Sequence, residues 1–196
     1  LKTNYSIGAR KCIIKELDSK TKNKFLDKYH IQGKDNSSIK LGAFYKARLV
    51  AVMTFGKRRI ALGKKESKDN EYELLRFVTV ANFNIIGIAS KLLKYFERNY
   101  NPLKLITYAD RRWSQGNLYH QLGFEFSHIS KPNYFYFKNN EIKRYHRFNF
   151  RKNVLYYKID KYDVNLTEVQ NMKNNNYTRI FDCGNYMFFK EYKENI

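Results

Sequence analysis

The sequence predicts a mixed α/β domain, on three observations. First, residues 72–109 read as strand, helix, strand. Tyr72 to Val80 is rich in apolar and β-branched residues. Ile88, Leu92, Leu93 and Phe96 then recur near helical spacing, Asn101-Pro102 stops the helix, and Leu103 to Ala109 is a second apolar strand. Second, residues 39–55 alternate as a hairpin. Third, 196 residues with 43% hydrophobic content suit one core with room for a small appendage. The main domain is expected over residues 1–150, with a helix and hairpin extension over 151–196.

In order, Lys11 to Leu17 is a first strand. Asp18 or Ser19 caps a helix striped by Phe25, Leu26 and Tyr29 and ending near Gly33. His30 at its exit is either a structural histidine or a group facing substrate. Ile39, Leu41 and Ala43 share one face of the hairpin, Val50, Val52 and Thr54 return, and Lys46-Ala47-Arg48 turn. The loop 56–70 carries Lys57, Arg58, Arg59, Lys64 and Lys65, either a solvated charge run or a phosphate-contacting loop. A loop carrying Gly87 leads into the central helix. Leu118 to Leu122 is a helical turn that Gly123 can cap. Tyr134 to Phe137 and Glu141 to Tyr145 are strands around Asn139-Asn140. Thr167 and Gln170 have capping-box spacing for a short helix through Met172. Tyr177 to Phe181 and Tyr186 to Phe189 read as a terminal hairpin turning at Asp182 to Asn185.

Thirty-eight basic and 18 acidic side chains give a formal net charge of +20. AT-rich codon bias accounts for abundant lysine but not for scarce glutamate, so the imbalance points to a polyanion, double-stranded DNA first. Residues 144–152 interleave Arg144, Arg147, Arg151 and Lys152 with Tyr145, Phe148 and Phe150. That pattern fits phosphate contact with base stacking, or a strand with rings inward and charges outward. Cys12 and Cys183 are too few for a disulfide framework or a cysteine zinc site, and no metal is expected. No run approaches transmembrane length and no signal peptide is visible, so no membrane partner and a cytoplasmic setting are expected. The chain begins at Leu1 and is read as a piece of a longer protein.

Asn84-Ile85-Ile86-Gly87-Ile88-Ala89 resembles the acyl-coenzyme A pyrophosphate loop of the GNAT acyltransferase superfamily, and Asn117, Leu118, Tyr119 and Gly123-Phe124 resemble that superfamily's later Asn…Tyr…Gly-Phe motif. Asn84 departs from the pattern, which prefers Gln or Arg. Within the superfamily, Glu73-Leu74-Leu75-Arg76-Phe77 and Tyr108-Ala109-Asp110 with Gly116 to Tyr119 resemble the phage Mom type, which modifies adenine in DNA. Tyr29 to Gly33, Met53 to Lys57, Tyr108 to Ser114, Lys131 to Tyr134 and Arg179 to Asn185 resemble the C-terminal region of phage homing-endonuclease-like proteins, a likeness over nearly the whole chain. The resemblance implies a mixed, mostly antiparallel sheet flanked by helices and opening in a V near Gly87. It also implies an acetyl-CoA or related acyl-CoA donor, a phage-encoded protein in a bacterial host cell, and an upstream nuclease domain in longer relatives.

Three functions follow: base modification in DNA, a non-catalytic target-DNA-binding domain, or a protein or small-molecule N-acetyltransferase. For acyl transfer, backbone N–H groups of Ile86, Gly87 and Ile88 at a helix start suit a pyrophosphate, with Asn84, Ala89 and Asn117 beside them. Glu73 and Asp110 are candidate bases, each also explicable as an ion pair with neighbouring arginine. Tyr119 is the acid that the resemblance implies, or a core ring. Nucleic-acid contacts are expected from His30, Lys57, Arg58, Arg59, Arg111, Arg112, Trp113, Arg144, Arg147, Arg151 and Lys152. Trp113, Tyr134 and Tyr136 are candidate walls for a base removed from the stack.

Overall fold

Alternating apolar residues at 39–57 and 71–79 build the centre of a seven-stranded sheet. The structure, a computed structural model, describes residues 5–57 and 69–193; Arg58, Arg59, Lys64 and Lys65 lie outside the described residues. The elements are β1 (Tyr5–Gly8), a 3-10 turn (Ala9–Lys11), β2 (Ile13–Glu16), α1 (Ser19–Tyr29), β3 (Ile39–Tyr45), β4 (Arg48–Lys57), β5 (Glu71–Thr79), β6 (Phe83–Ile86) and α2 (Ile88–Tyr100). They continue with β7 (Lys104–Asp110), α3 (Asn117–Gln121), β8 (Glu125–Ile129), β9 (Tyr134–Lys138), β10 (Arg144–His146), a 3-10 turn (Arg147–Phe150), α4 (Lys152–Leu155), α5 (Glu168–Asn174), β11 (Tyr177–Phe181) and β12 (Asn185–Glu191).

The chain forms two compact units, and they do not divide at residue 150. One comprises residues 1–109, 116–128 and 186–196; the other comprises 110–115 and 129–185. The first unit holds the sheet β2-β3-β4-β5-β7-β12-β8, antiparallel from β2 to β5 and parallel between β5 and β7. Asp18 caps α1 by accepting the Thr21 N–H at 2.8 Å, as its position before the helix predicts. α2 buries Ile88, Leu92, Leu93 and Phe96. Phe96 stacks on Phe55 with centroids 3.8 Å apart and meets Tyr72 edge-on at 5.2 Å. Leu92 is fully buried, and truncating it to alanine would cost about 2–5 kcal/mol.

The second unit is a three-stranded antiparallel sheet, β10-β9-β11, over a core of Tyr136, Phe150, Leu155 and Met172. The capping box at Thr167 and Gln170 forms as its spacing predicts. Two buried asparagines hold the connection before α5. Asn171 Nδ2 donates to the Asp163 carbonyl at 2.8 Å and its Oδ1 accepts the Asp163 N–H at 2.8 Å; Asn175 does the same for Lys161 at 2.7 and 2.9 Å. These bonds take the place of regular secondary structure for backbone groups there.

Three local readings are corrected. Residues 177–189 are not a terminal hairpin: β11 pairs with β9, whereas β12 lies between β7 and β8 in the large sheet. Adjacent Met187 and Phe188 are both buried, the pattern of a strand covered on both faces. The expected strand at 141–145 shrinks to Arg144–His146. The residues before Gly87 are not an open loop: Phe83–Ile86 pair in parallel with Tyr5–Gly8.

Candidate functional site

Within the first unit the parallel strands part company. β5 and β7 pair only from Glu71–Lys104 to Leu74–Thr107, although both strands continue beyond. The opening coincides with a bulge. Phe55 faces Leu74 and Thr54 faces Arg76, which leaves Leu75 as an extra residue. Glu73 and Arg76 are three apart and would point to opposite faces of a regular strand. The bulge puts both on one face. That face is opposite Tyr72 and α2, and Glu73 is buried there at 3% exposure. Bulges of this kind bend strands and end pairing, so the expected V-shaped opening has a local cause in Leu75.

Tyr119 sits at this opening. Its hydroxyl is hydrogen-bonded to Thr107, the last paired residue of β7, and Arg76 is within electrostatic reach. Burial pushes the Tyr119 hydroxyl above its ordinary pKa, with the Thr107 bond and Arg76 acting in the other direction. The group therefore keeps its proton near neutrality. Tyr119 is placed by Gly116, the N-cap of α3, whose carbonyl accepts the Tyr119 N–H at 2.9 Å. The ring is held by Phe124 and Phe188 at 5.8 and 5.4 Å.

At the start of α2 lies a cavity of about 730 Å³, inside the range of roughly 300–1,000 Å³ usual for small-molecule and cofactor sites. Gly87 caps the helix with φ +80, which glycine adopts without strain. No side chain caps the first-turn N–H groups and no acid lies in that turn, so the positive end of the helix dipole faces the cavity. Arg10, Lys94 and Arg98 line it and are exposed. Lys91 also lines it, but its Nζ donates to the carbonyls of Ala9 and Cys12 at 3.0 and 2.5 Å, tying the first 3-10 turn to α2. Gly87 and Ile86 border the cavity, while Ile88 and Ala89 turn their side chains into the core. Asn84 and Asn117 are exposed and do not line it. Sequence reasoning missed Arg10, Lys94 and Arg98. Lysine-rich composition hides them, and only their 3–4 residue spacing on one side of α2 marks Lys91, Lys94 and Arg98.

The other expected residues separate by unit. His30 belongs to the first. It accepts the Gln32 N–H at 3.1 Å, and burial, reinforced by Arg76 and opposed by Asp35, lowers its pKa to about 4. It is neutral at pH 7 and supplies no charge to a phosphate. Beside it, Lys22 donates to Asp35 at 2.8 Å and Thr54 Oγ1 to the same carboxylate at 2.5 Å. Between pH 6.5 and 4 the unfolded chain protonates His30 and the folded chain does not, so stability should fall as pH drops through that window. Thermal melts of the His30→Gln variant should show a flatter slope there than the parent. Lys57 is exposed at the end of β4.

Arg111, Arg112, Trp113, Arg144, Arg147, Arg151 and Lys152 all fall in the second unit. Arg111 donates to the Cys183 carbonyl at 2.9 Å. Arg112 clamps Asp110, with Nε 3.0 Å from Oδ1. Hydrogen bonds from Arg112 hold the Asp110 carboxyl below its ordinary pKa, which makes Asp110 a turn anchor and a poor base. Trp113 is 66% exposed. Tyr136 is buried, with its hydroxyl donating to Glu168 at 2.9 Å, and cannot wall a base pocket. Tyr134 donates to the same carboxylate at 3.2 Å.

A largely antiparallel sheet with one parted parallel pair and a glycine-capped helix between those strands is the arrangement that the sequence resemblance implies. Solved structures bear this out: the chain has the fold of the GNAT N-acetyltransferases. No family model matches it, and no curated protein does. Ard1 from Thermoplasma volcanium aligns with a TM-score of 0.51 at 11% identity, covering 94% of this chain and 99% of that one. Arabidopsis thaliana Naa50, in complex with the bisubstrate analogue CoA-Ac-MVNAL, aligns with 0.51 at 15% identity over 93% and 99%. An N-acetyltransferase from Staphylococcus aureus Mu50 aligns with 0.51 at 12% over 93% and 99%. The chain spans 60% of the PaiA N-acetyltransferase of Thermoplasma acidophilum, solved with coenzyme A. Likeness at these identities is likeness of fold.

Proposed function

We propose that this protein is an acyl-coenzyme A-dependent N-acyltransferase acting on DNA, modifying a base amine as the Mom-like proteins it resembles do. The observation that carries the reading is the cavity at the start of α2. A pyrophosphate needs backbone donors and cations. The uncapped first turn after Gly87 offers the donors, and Arg10, Lys94 and Arg98 offer the charge. The residues present therefore fit a coenzyme A-type donor, which when bound supplies an activated acyl group as its thioester. Tyr119 holds a proton at its hydroxyl and can release it toward a departing thiolate. This reading assigns Glu73, buried on the face shared with Arg76, the part of accepting a proton from an amine.

DNA as the acceptor rests on the net charge of +20 and on the exposed Arg144, Arg151 and Lys152. Calorimetry with coenzyme A tests the cofactor half. The parent should bind, and a Lys94→Glu, Arg98→Glu double variant should bind at least roughly tenfold more weakly with an unchanged melting temperature. DNA affinity should fall steeply as salt rises. The target-binding reading is favoured by one feature. Asn84 stands where the superfamily prefers Gln or Arg, and its backbone is committed to the ladder opposite Ser6. DNA binding without coenzyme A binding would establish that reading. Coenzyme A binding without DNA binding would leave a protein or small-molecule N-acetyltransferase.

A further inference from the structure

We propose that the outer face of the β10-β9-β11 sheet is a stacking platform for an unpaired polynucleotide strand. The proposal deepens the DNA reading above and rests on it for the class of partner. Register decides which side chains share this face. Phe135 lies between His146 on β10 and Ile180 on β11, and Phe137 lies between Arg144 and Thr178. Tyr136, between them in sequence, points the other way into the core. Phe135, Phe137 and Ile180 are not among the residues packed in this unit's buried cluster. Ile180 is 45% exposed, and Phe148, just beyond β10, is 43% exposed.

Cations are already laid on these rings. The Arg144 guanidinium lies 5.7 Å from the Phe135 centroid, and those of Arg147 and Arg151 lie 5.3 and 5.6 Å from Phe148. His146 links the two rings, edge-on to Phe135 at 5.4 Å and tilted on Phe148 at 5.0 Å. The result is a strip of alternating arginine and aromatic side chains with no acid among its members. The nearby carboxylates are engaged: Asp110, which Arg144 also reaches electrostatically, by Arg112, Glu141 by Tyr145, Glu168 by Tyr134 and Tyr136, and Asp182 by backbone N–H groups.

Such a strip suits a polyanion that also offers flat π-faces. In a duplex those faces are stacked and hidden, and the major groove admits a helix or a two-stranded ribbon. A three-stranded face with rings standing on it instead meets bases already out of the stack, with the exposed Arg144 and Arg151 to take the phosphates, while Arg147 is held between Phe148 and Tyr134. An unpaired strand, of DNA or RNA, has this chemistry.

Fluorescence anisotropy on the full chain tests the proposal, with a labelled single-stranded DNA of about 20 nucleotides, the same sequence as RNA, and the DNA duplex. Site sizes on comparable platforms fall within that length. At equal salt the single strand should bind roughly tenfold tighter than the duplex. Phe148→Ala and Arg144→Gln should each weaken single-strand binding by about five- to tenfold and leave the melting temperature unchanged, since both side chains are exposed. Equal binding of RNA supports the platform and shows that the sugar is not read; a preference for DNA supports it and names the source. Equal or tighter duplex binding, or single-strand binding unmoved by both variants, overturns it. The two readings fail separately. DNA modification without single-strand preference overturns the platform alone. Single-strand preference without coenzyme A binding upholds the platform and overturns acyl transfer.

Discussion

Replacing Gly116 with alanine is expected to cost about 3 kcal/mol of stability, from steric overpacking combined with a left-handed backbone. For a chain of this size that lowers the melting temperature by roughly 6–12 °C. Gly116 is buried with φ +82, and a Cβ there would lie 2.3 and 2.5 Å from carbons of the Phe188 ring. Phe188 is 1% exposed and enclosed by Tyr119, His120 and Phe126, so the ring has no free space to enter. The displacement would also move Tyr119, because the Gly116 carbonyl receives its N–H. Gly8→Ala is the control. Its φ is −76 and a Cβ there would meet nothing within 4 Å, so its melting temperature should match the parent. A melt in which Gly116→Ala equals Gly8→Ala would show that the Phe188 packing is wrong.

Tyr119→Phe carries the second large expectation. Removing the hydroxyl deletes one proton and one hydrogen bond while keeping the ring among Phe124 and Phe188. If Tyr119 is the acid, acyl transfer should drop by about 10²–10⁴, the range for a positioned proton donor. Coenzyme A affinity should hold, because the groups proposed to bind its phosphates are at Gly87 and in the basic wall of the cavity. Stability should fall by only about 1 kcal/mol for the lost bond to Thr107. Thr107→Val separates position from chemistry. It leaves the proton on Tyr119 but frees the hydroxyl, and it also removes the Thr107 Oγ1 donor to the buried Leu74 carbonyl at 3.1 Å, so it should give a partial loss of activity with some loss of stability. A Tyr119→Phe protein with full activity would remove Tyr119 from the reaction.

The sequence made local features legible and hid distant ones. Asp18, Thr167 and the apolar stripe of α2 act within one or two turns, so capping and periodicity reveal them. Gly87 was legible because a positive φ at a helix start leaves a glycine in the sequence. The pairing of β1 with β6 joins residues nearly eighty positions apart and leaves no local mark. β12 misled for the same reason. It follows β11 closely, yet takes a place in the other unit's sheet beside β7 and β8. In the site, Glu73 and Tyr119 were visible as residue types at suggestive positions. The Leu75 bulge that turns Arg76 to the Glu73 face was not, because an extra residue in a strand shows only against its partner. Arg112 misled through its own charge: it reads as a phosphate contact, and its guanidinium is committed to Asp110.

The central claim is acyl transfer to a DNA base, and nucleoside mass spectrometry tests it most directly. The protein would be co-expressed with plasmid DNA, and the digested nucleosides compared with those from Tyr119→Phe and Glu73→Gln variants. A nucleoside heavier by an acyl-derived group in the parent sample, and lost in both variants, is the expected result. Unmodified plasmid DNA from cells holding folded protein that binds both DNA and coenzyme A would contradict it.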